Sequence, residues 1–249
     1  MRFSVIIPVY NSWASLEKLI EEIRQFFKSY GETYEIIMVD DGSDEKTANQ
    51  LNFIQLESEK AHHNDIEVIH LKQNVGQQKA IVIGLTHASG EYAVTIDDDL
   101  QHDIGELKGL YEAALSGADL VFGIYSDYGE KNSRALGSKM IGWFFRVKFK
   151  KLCGMRVSSY RLIHFTVFKN MVCSDNRFVY VSAELLPYAH KVDNVIVNRR
   201  IRAYGKSGYT LMKCVKIGIQ LFLNYGLRPS NVKKGAWMIS ENITHGRRG

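Results

Sequence analysis

The sequence predicts an α/β fold, a mostly parallel sheet with helices on both faces, and three observations predict it. Short apolar runs alternate with longer amphipathic ones through the first 130 residues. The short runs are rich in β-branched and aromatic residues, as befits strands buried on both faces. Two of them end in acid, "YEIIMVDD" at Asp40 and Asp41, and "YAVTIDDD" at Asp97, Asp98 and Asp99. Ligands of such sheets lie beyond the carboxyl ends of the strands, so both clusters fall where a crevice forms.

The elements follow in order. "RFSVIIPVY" reads as the first strand. "SWASLEKLIEEIRQFF" carries Leu16, Leu19, Ile20, Ile23 and Phe27 at helical spacing, with Ser12 placed to cap it. "YEIIMVDD" and "IEVIHL" are the second and third strands, and "GQQKAIVIGLTHA" is a helix that Gly90 ends. A strand over Tyr92 to Ile96 precedes the three aspartates. The helix "IGELKGLYEAALSGA" and the strand "DLVFGIY" complete the alternation.

The chain of 249 residues is long enough for one large domain with a sizeable core. Its net charge of +5 hides an asymmetry: residues 1–130 carry 9 Lys/Arg against 23 Asp/Glu, residues 131–249 carry 23 against 4. A basic second half fits phosphate, a membrane surface or nucleic acid, and charge alone chooses none of them. "SKMIGWFFRVKFKKL" and "YTLMKCVKIGIQLFLNYGL" interleave aromatic and basic residues. Each reads either as an amphipathic helix lying in a membrane interface or as a helix packed on the sheet. Cys153, Cys173 and Cys214 lack the spacing of a zinc site and fit a reducing compartment. No apolar stretch has the length of a signal-peptide core or a membrane span.

Three adjacent carboxylates ask for an explanation. Near 5 Å and at an effective dielectric of about 20, each like-charge pair costs roughly 3 kcal/mol. Full solvation in an exposed turn removes most of that cost, and so does a bound cation. A P-loop lysine and a GxGxxG fingerprint are both absent, which removes the usual signals of nucleotide hydrolysis and dinucleotide binding. A divalent cation held by one or two carboxylates and by substrate phosphates fits what remains.

The ordered set "VIIPVYN", "VDDGS", "NVGQQKA" and "IDDDLQH" resembles the nucleotide-sugar domain of family 2 glycosyltransferases, the GT-A fold. "RALGSK", "SSYRLI" and "RIRAYGKSGYTLMKCVK" extend the resemblance to roughly residues 3–229, towards the polyprenyl-phosphate glycosyltransferases that include dolichol-phosphate mannose synthase. The resemblance implies a nucleotide-sugar-binding half over 1–130, an acceptor and diphosphate half over 131–229, and a polar tail over 230–249. It implies that Pro8, Tyr10 and Asp40 bracket a nucleotide, and that Asp97, Asp99 and Gln101 hold Mg2+ or Mn2+. Arg134 and Ser138 would take the diphosphate, and Arg202, Lys206 and Ser207 would close over it or receive the acceptor phosphate. Arg200 joins that cationic set.

The implied reaction is inverting transfer of a sugar from a nucleoside diphosphate to a polyprenyl phosphate. Saccharide hydroxyls and a non-catalytic binding role are the alternatives. The implied partners are the sugar donor and the lipid acceptor, not nucleic acid, and a homo-oligomer is compatible with all of this. Glu184 is the acid best placed to serve a hydroxyl acceptor as base, and His62, His63 and His102 read as surface or packing residues. Tyr125 and Ser159 stand where relatives often carry an arginine and an aspartate. Relatives often continue into membrane helices after a segment like "NYGLRP". This chain ends instead in "SNVKKGAWMISENITHGRRG", so the expected location is cytoplasmic, peripheral on the inner face of the cell membrane.

Overall fold

The computed structural model describes residues 1–63, 65–126, 141–149, 152, 154–171, 178–198, 200, 211–226 and 243–244. In chain order the strands are β1 (Phe3–Val9), β2 (Tyr34–Asp40), β3 (Ile66–Leu71), β4 (Tyr92–Thr95), β5 (Leu120–Tyr125), β6 (Arg161–His164), β7 (Val192–Val197) and β8 (Ile243–Thr244). The helices are α1 (Trp13–Tyr30), α2 (Glu45–Lys60), α3 (Gln77–His87), α4 (Leu107–Leu115), α5 (described over 141–148), α6 (Phe165–Asn170), α7 (Val181–Leu185) and α8 (Leu211–Leu221).

The sheet order is β7-β5-β6-β4-β1-β2-β3-β8. β1 pairs parallel with both β2 and β4, and β2 with β3. β6 enters antiparallel between β4 and β5, and β8 antiparallel beside β3, so the sheet is mixed at its flanks. Alternate residues serve opposite faces. Val5, Ile7, Ile36 and Met38 meet α1, α2 and α4, while Ile6, Ile37 and Val39 meet α3 and the later helices.

Several local expectations are corrected. α2 is a helix that no strong apolar stripe announces, since its buried face consists only of Thr47, Leu51, Ile54 and Ser58. α3 ends at His87, before Gly90. That glycine is needed for close approach: a Cβ there would lie 2.8 Å from the main chain of Phe3 and Ser4. A short 3-10 turn, Ile104–Glu106, leads into α4, which stops at Leu115. The aromatics of α5 divide, with Phe144, Phe145 and Phe149 buried while Trp143 is 56% exposed. The packed reading therefore holds for the face that carries Phe144 and Phe145.

Candidate active site

Three loops meet at the carboxyl edge, after β1, β2 and β4, and Asn11 and Ser12 join them. Asn11 has a φ of 52°, which asparagine tolerates better than most residues. Its N–H donates to Ser43 Oγ at 3.1 Å and its side-chain oxygen accepts from the Asp44 N–H at 2.8 Å. Ser12 makes no side-chain bond to the start of α1. Its hydroxyl donates instead to Asp98, so the expected helix cap is a loop-to-loop tie.

Asp40 and Asp41 are both buried. Asp40 accepts from the Ser43 N–H at 2.9 Å and faces His70 Nδ1 at 2.7 Å. Burial works against ionisation, but His70 and Ser43 bring the carboxyl below its ordinary value. Asp41 takes the N–H groups of Val75 at 2.6 Å and Gly76 at 2.9 Å. Burial pushes its carboxyl up, against those two donors. Gly76 has a φ of 91°, in the left-handed region that favours glycine. The expected nucleotide contact at Asp40 thus belongs to a side chain whose two oxygens already have partners within the fold.

The three consecutive aspartates point in different directions. Asp97 accepts from Gln77 Nε2 at 2.6 Å and from Ser159 Oγ at 3.0 Å. Asp98 turns to Ser12, and burial, with Asp97 and Asp99 adding, pushes its carboxyl up to about 6. Asp99 curls over its own loop, accepting from the Gln101 N–H at 3.1 Å. Leu100 between them has a φ of 61°, a strained backbone for a leucine, and its side chain is buried in the core. That anchored strain holds Asp99 and Gln101 beyond the sheet edge.

Other expected residues are dispersed. Pro8 is buried on β1, and Tyr10 at the strand's end is 52% exposed. The Gln101 main-chain carbonyl accepts the Arg200 main-chain N–H at 3.1 Å. The Arg200 guanidinium, expected to face the acceptor phosphate, bonds Glu22 at 2.5 Å and Asp103 at 2.8 Å. Arg134, Ser138, Arg202, Lys206 and Ser207 lie outside the described residues. At the end of β5, where Tyr125 replaces an expected arginine, the Arg156 guanidinium donates to the Tyr125 carbonyl at 2.8 Å. Glu184 is buried and accepts the Tyr225 hydroxyl at 2.6 Å.

Sequence reasoning assigned no role to Gln77 or Gln78, although both lie in "NVGQQKA". Gln77 holds Asp97, and Gln78 Oε1 accepts the Val181 N–H at 2.9 Å, tying α3 to α7. Ser159, a departure from the family pattern, touches Asp97 directly.

With this edge in view, the matches are informative. The glycosyl transferase family 2 model matches residues 4–174. The chain belongs to that family. It is 31% identical over 218 residues to the undecaprenyl-phosphate 4-deoxy-4-formamido-L-arabinose transferase of Edwardsiella ictaluri, covering 86% of this chain. It spans 65% of that relative's length. Among solved structures, the glucosyl-3-phosphoglycerate synthase of Mycobacterium tuberculosis with Mn2+, UDP and phosphoglyceric acid aligns at TM-score 0.63 and 18% identity. That alignment covers 92% of this chain and 80% of the synthase. S. aureus TarS with UDP-GlcNAc aligns at TM-score 0.56 and 17% identity, over 92% of this chain and 68% of TarS. The fold of this family 2 chain is therefore GT-A, as the motifs predicted.

Proposed function

We propose that this family 2 chain is a cation-dependent inverting glycosyltransferase that moves a sugar from a nucleoside diphosphate to a polyprenyl phosphate. The observation that carries the reading is the Asp97–Asp99 edge. Asp97 and Asp98 are fixed by donors from other loops, and Asp99 is held out with Gln101 by the anchored turn at Leu100. The named relative, a transferase of undecaprenyl phosphate, and the neighbours solved with UDP and Mn2+ support the substrate classes.

The donor set fits a hard divalent cation. It is all oxygen, the ligand type that such ions take. Such an ion would share its shell with substrate phosphates, as Mg2+ and Mn2+ do. When bound, it would neutralise charge on the departing diphosphate. Asp97, Asp99 and Gln101 would hold it, with Asp99 and Gln101 nearest the ion. By family resemblance Arg134 and Ser138 would add donors to the diphosphate, and Arg202, Lys206 and Ser207 would take the acceptor phosphate.

A phosphate acceptor is preferred over a saccharide hydroxyl. A hydroxyl needs a positioned base, whereas a phosphate monoester is already ionised near neutral pH. Glu184, the acid considered for that task, is buried against Tyr225.

A lipid acceptor also suits the α5–α8 surface. Trp143, Phe144, Gly218, Ile219, Phe222 and Leu223 line an apolar slot of about 250 Å³. Val147 and Met212 are exposed on the same two helices, as are Arg146 and Lys216. Among the described residues no helix is long and apolar enough to cross a membrane. We place this face on the anionic inner leaflet, with the slot against lipid chains.

The test is a panel of UDP- and GDP-sugars with undecaprenyl phosphate or a saccharide acceptor, reading nucleoside diphosphate release. Release that requires the prenyl phosphate and stops in chelator is expected. Release that follows the saccharide instead overturns the acceptor assignment, and release undiminished by chelator overturns the cation. Vesicle binding that is equal for neutral and anionic lipid, or absent for both, overturns the membrane face.

A further inference from the structure

We propose that His102 and Ser159 are positioning residues that close a ring of hydrogen bonds on Asp97 and thereby set the affinity of the site for its cation. The inference rests on the cation-dependent reading above and adds two residues that neither the family match nor the sequence motifs assign.

The ring begins and ends at Asp97. Its main-chain N–H donates to His102 Nδ1 at 3.0 Å. A backbone N–H can only donate, so Nδ1 must accept, and the neutral imidazole then carries its hydrogen on Nε2. Nε2 lies 3.4 Å from Ser159 Oγ and 3.7 Å from Asp97 Oδ2. The Ser159 hydroxyl, accepting from His102, donates its own hydrogen to Asp97 Oδ2 at 3.0 Å. Every donor meets an acceptor in one direction around the ring, which fixes the tautomer and the hydroxyl rotor together.

Both outer members are themselves anchored. The His102 ring is buried, stacked on Tyr160 at 4.9 Å and near parallel to Tyr125 at 6.2 Å. The Ser159 carbonyl accepts from Thr95 Oγ1 of β4 at 2.6 Å and from Arg161 Nε at 3.3 Å. Gln77 holds the other Asp97 oxygen from α3. Asp97 is therefore fixed through its main chain and both oxygens by groups on the sheet and its neighbours. Outer partners of this kind orient a ligand and commonly change metal affinity by about 10- to 100-fold.

The identity of residue 159 acquires a reason here. In this chain the Ser159 hydroxyl supplies a donor to Asp97, which an ionised carboxylate at that position does not have.

Two measurements on the full chain test the ring. The first is 15N-histidine NMR, which reads the tautomer directly. A neutral His102 protonated on Nε2 is expected, and protonation on Nδ1, or on both nitrogens, at pH 8 overturns the ring. The second is retention of Mn2+ with UDP or GDP, followed by the electron paramagnetic resonance signal of free Mn2+. Ser159→Ala and His102→Phe, the latter keeping the aromatic stack, should each weaken retention by about tenfold or more. Ser159→Thr, which keeps the hydroxyl, should restore it to within about twofold, and the double variant should be no worse than the poorer single, because the ring breaks only once.

Folded variants with unchanged Mn2+ retention, or losses that add in the double variant, overturn the proposal. Should His102→Phe fail to fold, the Ser159 pair decides alone. A wild-type chain that shows the expected tautomer yet retains no Mn2+ with either nucleotide overturns the cation role of site and ring together. A wild-type chain that retains Mn2+ but transfers no sugar overturns only the proposed function.

Discussion

Two acidic clusters share one edge of this sheet and do different work. Asp40 and Asp41 are buried and turned into the fold, where they gather the Ser43, Val75 and Gly76 N–H groups and His70. Asp97, Asp98 and Asp99 keep part of their surface open, the first tied to Gln77 and Ser159 and the second to Ser12. Position at the carboxyl edge therefore leaves the two clusters with very different exposure.

The contrast fails most visibly if Asp99 is structural. Asp99→Asn should leave the melting temperature within about 1 °C of wild type and lower sugar transfer by about 10²- to 10³-fold, the scale of losing one strong electrostatic contact to the leaving group. Transfer assays beside thermal melts decide it. An equal fall in both would place Asp99 with Asp40 and Asp41.

The opposite pattern is expected at Asp41. Replacing it by Ala strands two N–H donors in a buried loop, which destabilises by about 2–3 kcal/mol. For a domain of this size that lowers the melting temperature by about 4–10 °C. Nucleotide retention below the transition should be little changed, and calorimetry with Mn2+ and UDP present would measure both.

These differences were only partly legible in the sequence. β1 to β5 were, from their short β-branched runs, and α1 was, from its apolar stripe, whereas β6, β7 and β8 had no reading from sequence. α2 was not, since two of its four buried residues are Thr47 and Ser58. The edge as a site was legible from its motifs. The direction of each aspartate was not, because Ser159 and His102 reach Asp97 from other segments, and Ser12 offers the same hydroxyl to a helix end as to Asp98. The ion pair of Arg200 with Glu22 was not legible either, because Glu22 lies far away in the chain.

A third acid shows what a wholly structural carboxylate looks like in solution. Asp65 is buried and accepts from Arg24 at 2.8 and 2.9 Å, Ser58 at 2.6 Å and Tyr34 at 3.0 Å. Burial alone would raise its carboxyl, but Arg24, Ser58 and Tyr34 hold it down to about 2. A folded value below the unfolded one means the ionised group stabilises the native state above the ordinary carboxylate range. That contribution, about 2 kcal/mol, is lost as pH falls from near 4 through 2. Urea melts between pH 5 and 2 should show Asp65→Asn losing less stability over that interval than wild type. Parallel curves would remove Asp65 from the acid transition.

The smallest effect is expected at Glu184, and it separates the acceptor classes. Glu184 sits in the first turn of α7, buried, with its Oε1 taking the Tyr225 hydroxyl at 2.6 Å. Tyr225 in turn accepts the Tyr180 N–H at 3.2 Å, so the pair fastens α7 to the turn that follows α8. A base for a hydroxyl acceptor must reach the substrate proton directly or through one water. A carboxylate engaged with a buried tyrosine on the α8 side is poorly placed for that. Glu184→Gln keeps an oxygen for the Tyr225 hydroxyl, so folding should survive and transfer to a prenyl phosphate should fall less than about tenfold, short of the 10²- to 10⁴-fold scale of a lost general base. Measured with both acceptors at saturating donor, abolition of transfer with the fold and Mn2+ retention intact would move Glu184 into the reaction. A saccharide hydroxyl would then replace the lipid phosphate as acceptor.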